Sequence, residues 1–587
     1  MSLNIQNLSY YMSKSKSLDN VDYEKKIRVA LLSSFTINGL EQTLRVLCFE
    51  NKINCKTYVG NYNQYNQEIL DKNSNLYKFN PDVTFLILDT RSILGDLFFS
   101  PYSISNEKRI EFIDNKINEI EQLIQSFTES HHSKLIVTTL SIPTYSPYGI
   151  YETKTDYGLQ QMVRTFNENL IKIFKNNPVV YVYDFNQFTG KYGEHNIFDF
   201  KQYLLGDVKI SMTHIPYFGD EIMSYVKSIL GLNKKCVVLD LDNTLWGGIV
   251  GEDGYAGIIL GDTPTGKAFV EFQKIILSLQ QRGIILAINS KNNTDDAMDV
   301  IKNHPNMILR EEHFVSIKIN WNDKASNLQE IATELNIGLD SMVFFDDDPV
   351  NRELVRSTMP EVLTPELPKD PYLFSMIIKN LNDFNVLKIT DEDAKRGQMY
   401  LQQRKRIEFS QKTNNLDNFL NQLNIKVTVK PASEFTLPRI SQLTLKTNQF
   451  NLTTKRYHEE DIKSILNSSS NIVQCVQVKD KFGDNGITGV YIINKDNDLE
   501  WSLDTFLLSC RIMGRKIEDG VLDHIIAQAR DAGVRRIKAT YIPTKKNMPV
   551  KDFLPNFGFK QENNSWYYYI DEKVKKPNHI EMIIDNE

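Results

Sequence analysis

Residues 236–254 read C-V-V-L-D-L-D-N-T-L-W-G-G-I-V-G-E-D-G. An apolar run, 237–239, stops at two carboxylates one residue apart, Asp240 and Asp242, with Thr244 two positions on. A short apolar run closed by turn residues suits a strand buried in a parallel sheet. Ligands of open α/β sheets bind beyond the carboxyl ends of such strands. Two aspartates aimed into that crevice repel each other and call for a cation. Hard oxygen donors in small number point to Mg²⁺ bridging to a phosphate. The plain alternative is an Asp-rich turn after a strand.

The chain downstream bears on that choice. Residues 284–288 form a second apolar run, ending in Asn289-Ser290-Lys291-Asn292, and 342–345 form a third, ending in Asp346-Asp347-Asp348-Pro349. Between them Lys324 opens a helical pattern over 325–335. This ordered set resembles the haloacid dehalogenase (HAD) phosphotransferase superfamily. The resemblance implies that Asp240 is the nucleophile and Asp242 the acid/base, with the backbone carbonyl of Asp242 on Mg²⁺. It further implies that Thr244, Ser290, Lys291 and Lys324 hold the phosphate, and that the metal set is Asp240, Asp242 and Asp347. A carboxylate can carry a covalent phosphoryl group. A lysine and Mg²⁺ offset the charge that builds on it.

Composition bounds the rest. The 587 residues imply several domains. A hydrophobic content of 41% and a charged content of 24% are ordinary for globular domains. The net charge of −6 gives no basic field for nucleic acid. No apolar run approaches the ~18 residues of a membrane span, and the polar first 22 residues lack a secretion signal's apolar core. Five scattered cysteines, an odd number, do not read as a disulfide framework. No membrane or nucleic-acid partner is expected, and the cytoplasm is the expected compartment.

The expected fold class is α/β with an α+β last domain, in this order: a disordered tail, 1–24; a flavodoxin/SGNH-like parallel sheet, 25–232; a capless HAD-like Rossmannoid domain, 233–368; a helical connector, 369–424; a GNAT-like α+β domain, 425–572; and a tail, 573–587. In the first domain, apolar runs at 27–32, 83–88, 135–139 and 179–183 alternate with helical patterns at 107–127 and 159–174. The shape resembles SGNH hydrolases, yet no G-D-S turn precedes Ser33 or Ser34. Ser211 also stands where a D-x-x-H aspartate would precede His214. Without that carboxylate the histidine lacks tautomer control, so Ser33, Ser34 and His214 read as structural or binding residues. Motifs one and two of the HAD set lie too close for a folded cap, which leaves a crevice open to a bulky or carrier-bound participant. The connector's Lys395, Arg396, Arg404, Lys405 and Arg406 read as a solvated face.

In the last domain, a strand over 499–508 leads through Ser509-Cys510-Arg511-Ile512-Met513-Gly514-Arg515 into a helix. A strand, an R-x-x-G turn and free helix amides make an anion-binding corner. The order resembles GNAT acyltransferases, with Lys516 where their last small residue stands. Helix amides and neighbouring arginines would lower the pKa of Cys510 below the free value of ~8.5, although a small buried residue is the usual fate of a free cysteine.

Taken together, residues 240–254, 288–292, 319–324, K-T-N-Q-F-N at 446–451 and D-T-F-L-L-S-C-R-I-M-G-R at 504–515 are similar to the FkbH-like proteins. One departure is Asp348-Pro349-Val350-Asn351-Arg352, where the family pattern is Asn-Pro-x-Glu-Arg. The resemblance implies that 1,3-bisphosphoglycerate is dephosphorylated and its glyceryl unit loaded onto an acyl carrier protein for polyketide-type biosynthesis. Cys510 would then hold the glyceryl thioester. Lys446, Asn448, Gln449, Asn451, Arg511, Gly514 and Arg515 would line the acyl and phosphopantetheine site. The alternative is a stand-alone Mg²⁺-dependent HAD phosphatase whose C-terminal domain only binds a carrier or CoA.

Overall fold

Strands β1 (Lys25–Ser33), β2 (Ile53–Val59), β3 (Val83–Ile87), β4 (Lys134–Thr138) and β5 (Val180–Tyr183) form an all-parallel sheet in the order β2-β1-β3-β4-β5. That is the flavodoxin-like order of doubly wound folds. In this computed structural model the described residues are 5–585, apart from 19–20, 132, 390–392, 394, 412–414, 545–546, 564 and 571–577, and the side chains of 407, 408, 410, 411, 416 and 510. Every residue of β3 and β4 is buried, as strands covered on both faces require. Leu86 and Val137 pack with Ile113, Ile120 and Phe127 of helix Asn106–Ser130. On the opposite face Phe85 meets Tyr225 of helix Ile215–Ile229, with ring centroids 6.2 Å apart. Half-exposed β2, with polar residues at the sheet edge, gave too little apolar signal to be expected from sequence.

The expected N-terminal tail is in part a correction. Helix Leu8–Lys14 forms there, capped by Asn7, whose Oδ1 accepts from the Tyr10 amide at 2.9 Å. Tyr11 is 1% exposed. One aromatic anchor, and Tyr10 donating to Glu50 at 2.9 Å, hold a helix too short to show a period.

The chain divides into two units, Asn4–Leu230 and Gly231–Glu587. In the second, β6 (Cys236–Leu239), β7 (Ile285–Ser290), β8 (Phe314–Ile319) and β9 (Met342–Phe345) form a parallel sheet in the order β8-β7-β6-β9. Val238 registers with Ala287 on one side and Phe344 on the other. Between β6 and β7 lie helical turns at Val250–Gly257 and helix Pro264–Gln281, so the crevice has no cap domain. The core does not end at 368 as expected. Phe374, Ile378, Leu381 and Phe384 pack into the same apolar cluster as Phe269 and Phe272, and Phe272 and Phe374 lie 5.6 Å apart.

Two described helices of the connector follow, Arg396–Gln411 and Leu416–Gln422. The next strands are β10 (Ile425–Pro431), β11 (Phe450–Asn451), β12 (Asn471–Asp480), β13 (Gly483–Asn497), β14 (Glu500–Leu508), β15 (Arg536–Ala539), β16 (Lys560–Glu562), β17 (Ser565–Tyr569) and β18 (Ile580–Ile584). They make one mixed sheet, β16-β17-β15-β14-β13-β12-β10-β18, with β11 on β14. Helix Ile517–Asp531 packs Val521, Leu522 and Ile525 against it, the α+β layering expected of a GNAT-like fold. The C-terminal tail is corrected too: residues 580–584 pair in parallel with β10. This backbone pairing covers an otherwise open edge of β10.

Arg406 corrects the solvated-face reading. It is 2% exposed and grips Asp480 with Nε at 2.6 Å and Nη2 at 2.8 Å. Arg515 reaches the same carboxylate at 3.0 Å. Two buried guanidinia thus share one carboxylate. Asp480→Ala would strand both, and losing one partner of a buried pair costs about 3–5 kcal/mol. Chemical denaturation of Asp480→Ala should therefore show a markedly lower midpoint, and an unchanged midpoint would contradict this account of the cluster.

Candidate active site

Three parallel strands stop together, and the residues that follow them converge. Asp240 follows β6, and its amide donates to the Phe345 carbonyl at 2.9 Å, tying the two strand ends. Ser290 closes β7, and Asp346 and Asp347 follow β9. Lys324 opens helix Lys324–Leu335, whose cap Asp323 accepts from the Ser326 amide at 2.8 Å. That cap fixes where the helix starts and so where the lysine points.

The Lys324 ammonium is 1% exposed. It lies 2.8 Å from Asp240 Oδ1 and 2.9 Å from Asp346 Oδ2, and donates to the Asn289 carbonyl at 2.8 Å. Burial works against its charge, but the two carboxylates outweigh that and hold its pKa raised. Carboxylate oxygens of Asp240, Asp346 and Asp347 come within 4.8 Å of one another. Three carboxylates against one ammonium leave an excess of two negative charges, which a dication matches. Burial first, then repulsion from Asp240 and Asp346, pushes Asp347 up to about 7. Burial and Asp240 also raise Asp346. The all-oxygen donor set fits Mg²⁺, with Asp240, Asp346 and Asp347 the side chains that would hold it. Asp346 thus joins the expected Asp240 and Asp347. Asp346, second to none in burial at 0% exposed, was missed, although the D-D-D run after β9 carried its signal.

Asp242 turns the other way. Its Oδ1 accepts from Trp246 Nε1 at 2.8 Å and the Val250 amide at 3.1 Å, and its Oδ2 from Asn292 Nδ2 at 2.8 Å. Its side chain is outside the carboxylate cluster, which leaves its expected metal contact to the backbone carbonyl. Burial, with Asp240 adding, raises its pKa. The flap it grips needs Gly248: φ is +90°, and a Cβ there would sit 2.6 Å from Asp253 Oδ2.

The other expected phosphate ligands divide. Ser290, 1% exposed, lies at the strand end beside the cluster. Thr244 is fully buried and its Oγ1 accepts from the Asp347 amide at 3.2 Å, so it holds the metal loop. Lys291 is exposed, because alternation along the strand end sends Ser290 and Asn292 inward and Lys291 out. Asn292 and Asn289 are the residues that sequence reasoning passed over. Asn289 Nδ2 donates to the Lys324 carbonyl at 2.9 Å. Arg352, of the departing motif, donates to the carbonyls of Asp346 at 2.8 Å and Asp347 at 2.6 Å and orients that loop.

In the C-terminal domain, β11 pairs with β14, Phe450 opposite Leu508, and this brings the K-T-N-Q-F-N stretch beside Ser509-Cys510. Cys510 lies on a 3-10 turn, Cys510–Ile512, and its side chain is outside the described residues. Asn451 is fully buried and staples loops, its Oδ1 accepting from the Thr454 amide at 2.9 Å. Asn448 accepts from Arg456, and Gln449 Oε1 is buried without a hydrogen-bond partner among the described residues. Lys446 is drawn off to a different pocket. Arg511 Nε donates to Ser509 Oγ at 3.3 Å. Gly514, at φ +77°, makes the turn. Arg515 corrects the expected anion corner, because it is 4% exposed and committed to Asp480. Glu518 and Asp519 put acid in the helix's first turn, where they compete with an anion for its positive end.

A carboxyl at about 7 must lose its proton to bind metal. Below that pH, Mg²⁺ affinity should fall about tenfold per unit, with a proton released on binding. Calorimetric titration at pH 8 and pH 6 checks this, and equal affinities would contradict it.

The family model described as FkbH, N-terminal domain, matches residues 28–227. The solved N-terminal part of protein BF1531 from Bacteroides fragilis, containing a phosphatase domain and complexed with Mg, is 30% identical, with a TM-score of 0.60. That match covers 65% of this chain and 100% of that one. The ribosomal-protein-S18-alanine N-acetyltransferase from Escherichia coli is 12% identical over 25% of this chain and 97% of its own, with a TM-score of 0.21, too distant to carry an argument. A curated relative, the RNA-directed RNA polymerase L of Citrus psorosis virus (isolate Spain/P-121), is 22% identical over 233 residues, 35% of this chain. This chain spans 10% of that polymerase's length. A HAD-like crevice built on Asp240, a capless parallel sheet and the match along the full solved relative lead to one assignment: the chain belongs to the FkbH-like family, with a phosphatase-type centre.

Proposed function

We propose that this chain dephosphorylates 1,3-bisphosphoglycerate at Asp240 and passes its glyceryl unit through Cys510 to the phosphopantetheine thiol of an acyl carrier protein. The observation that supports the first half is the Lys324 ammonium held between Asp240 and Asp346 beside a three-carboxylate cluster. The Asp240 carboxylate attacks phosphorus. The P–O ester bond breaks, and the leaving alkoxide takes a proton from Asp242, whose pKa burial raises. Water then attacks the aspartyl phosphate, returns a proton to Asp242 and frees phosphate. Lys324 neutralises charge on the transferred group. Mg²⁺, when bound, supplies charge neutralisation and orientation of the phosphoryl oxygens.

For the second half, the Cys510 thiolate attacks the C1 carbonyl of the acyl phosphate. The C–O bond to phosphate breaks and inorganic phosphate leaves. The pantetheine thiolate then displaces Cys510 from the thioester. The β11–β14 pairing that gathers K-T-N-Q-F-N at this corner supports the reading. The buried Arg515 and the acidic helix start favour a second reading, a stand-alone phosphatase with no pyrophosphate corner.

Asp240→Asn should cut phosphate release from the monoester by at least about a thousandfold, the scale of losing a nucleophile. Cys510→Ala should keep monoester cleavage yet block glyceryl mass appearing on the carrier by intact-mass spectrometry. Carrier loading by Cys510→Ala would remove the thiol from the reaction, and full phosphatase turnover with no loading by the wild type would favour the second reading.

A further inference from the structure

A second cleft opens beyond the carboxyl ends of β3 and β4 in the N-terminal unit, the end at which doubly wound sheets bind ligands. Thr90 and Arg91 follow β3, and Ser141 and Pro143 follow β4. Glu194, Phe198, Phe200, Tyr203 and Lys209 close the other side. Their segment is pinned over the sheet by backbone bridges of Phe198 to Ile210 and of Val208 to Thr36. The cleft holds about 450 Å³ of space, part of it open to solvent, which is room for a small molecule. None of Ser33, Ser34 and His214 lines it, and Ser34 Oγ already accepts from the Asp89 amide at 2.8 Å.

The floor of the cleft offers hydrogen-bond donors. Lys209 ion-pairs with Asp89, which is 1% exposed. Asp89 is itself fixed, its Oδ2 accepting from the amides of Arg91 at 3.0 Å and Ser92 at 3.2 Å. An ammonium has more donors than Asp89 alone satisfies, and Asp89 is its one polar partner among the described residues. Burial pushes the Lys209 pKa down to about 7, which a further oxygen on the ammonium would oppose. The Ser141 hydroxyl makes no hydrogen bond among the described residues, although Thr90 holds the Ser141 carbonyl at 2.6 Å. The walls are aromatic. Lys209 Nζ lies 4.9 Å from the centre of the Phe198 ring, and the Arg91 guanidinium props Phe98 at 4.8 Å and Tyr203 at 4.7 Å. Arg91 and Lys209 are matched by Asp89 and Glu194, and Asp207 also acts on Arg91, so the cleft has no excess of positive charge. Selection therefore rests on an acceptor atom at the floor and apolar surface along the walls. Helix Phe200–Gly206 buries none of its residues. Phe200 and Leu204, four apart on one face, are 54% and 81% exposed and carry the apolar surface outward from the mouth.

We infer that this cleft binds an acyl group with an apolar chain, its carbonyl oxygen on Lys209 and Ser141 and its chain between Phe198, Phe200 and Tyr203. The site is independent of the function proposed above. Saturation-transfer NMR on the full chain in EDTA, with butanoate, hexanoate, hexanamide and hexylamine as probes, tests it. Hexanoate or hexanamide should bind saturably. Two more buried methylenes should make hexanoate at least about fivefold tighter than butanoate. Hexylamine, which has no acceptor, should bind at least about tenfold more weakly than the better acyl probe. Phe200→Ala, at an exposed position, should weaken the better acyl probe at least about fivefold. Lys209→Met should do the same, and Ser141→Ala replaces it should Lys209→Met fold poorly. Tighter binding of hexanoate assigns the site to a free acid, and tighter binding of hexanamide to an uncharged acyl derivative. Absence of binding by both, hexylamine as tight as either, butanoate as tight as hexanoate, or binding unchanged in Phe200→Ala and in the floor variant overturns the inference.

Discussion

Three carboxylates crowded around one buried ammonium set the terms for the phosphatase half of this protein. At an effective dielectric near 20, each like-charged pair about 4 Å apart costs roughly 4 kcal/mol. Lys324 cancels part of that, and its position is fixed by the Asp323 cap and the Asn289 carbonyl. The remaining negative charge is a binding force for a dication. A site that is unfavourable when empty and satisfied when filled is how metal affinity is built from ordinary aspartates.

The surrounding scaffold serves that crowding. β6 and β9 are tied where Asp240 meets the Phe345 carbonyl. Thr244 and Arg352 hold the Asp346–Asp347 backbone from two sides. Asp242, turned to Trp246, Val250 and Asn292, couples the flap to motif two. With one helix and a few turns between β6 and β7, the crevice stays open.

Much of this was legible in the sequence because strand ends are marked locally. Apolar runs closed by D-L-D-N-T, N-S-K-N and D-D-D-P placed β6, β7 and β9 correctly, and Lys324 at a helix start. What was not legible depended on side-chain direction or distant partners. Lys291 and Asn292 are adjacent, but strand alternation decides which faces in. Asp346 and Asp347 are adjacent as well, and both join the cluster. Arg406 and Arg515 looked like surface and ligand charges, because their shared partner Asp480 lies far along the chain. Helix Leu8–Lys14 and strand β18 rest on one or two anchors that composition does not reveal. The C-terminal domain shows the same limit: its layers follow from strand and helix patterns, whereas the destination of Lys446 does not.

The central claim is that Asp240 takes the phosphoryl group. Rapid acid quench of the full chain turning over a ³²P-labelled phosphomonoester with Mg²⁺, followed by peptide mapping, tests it most directly. The account predicts an acid-stable, hydroxylamine-labile label on the peptide containing Asp240. Label on Asp346 or Asp347, or turnover with no protein-bound label in the quench, would contradict it.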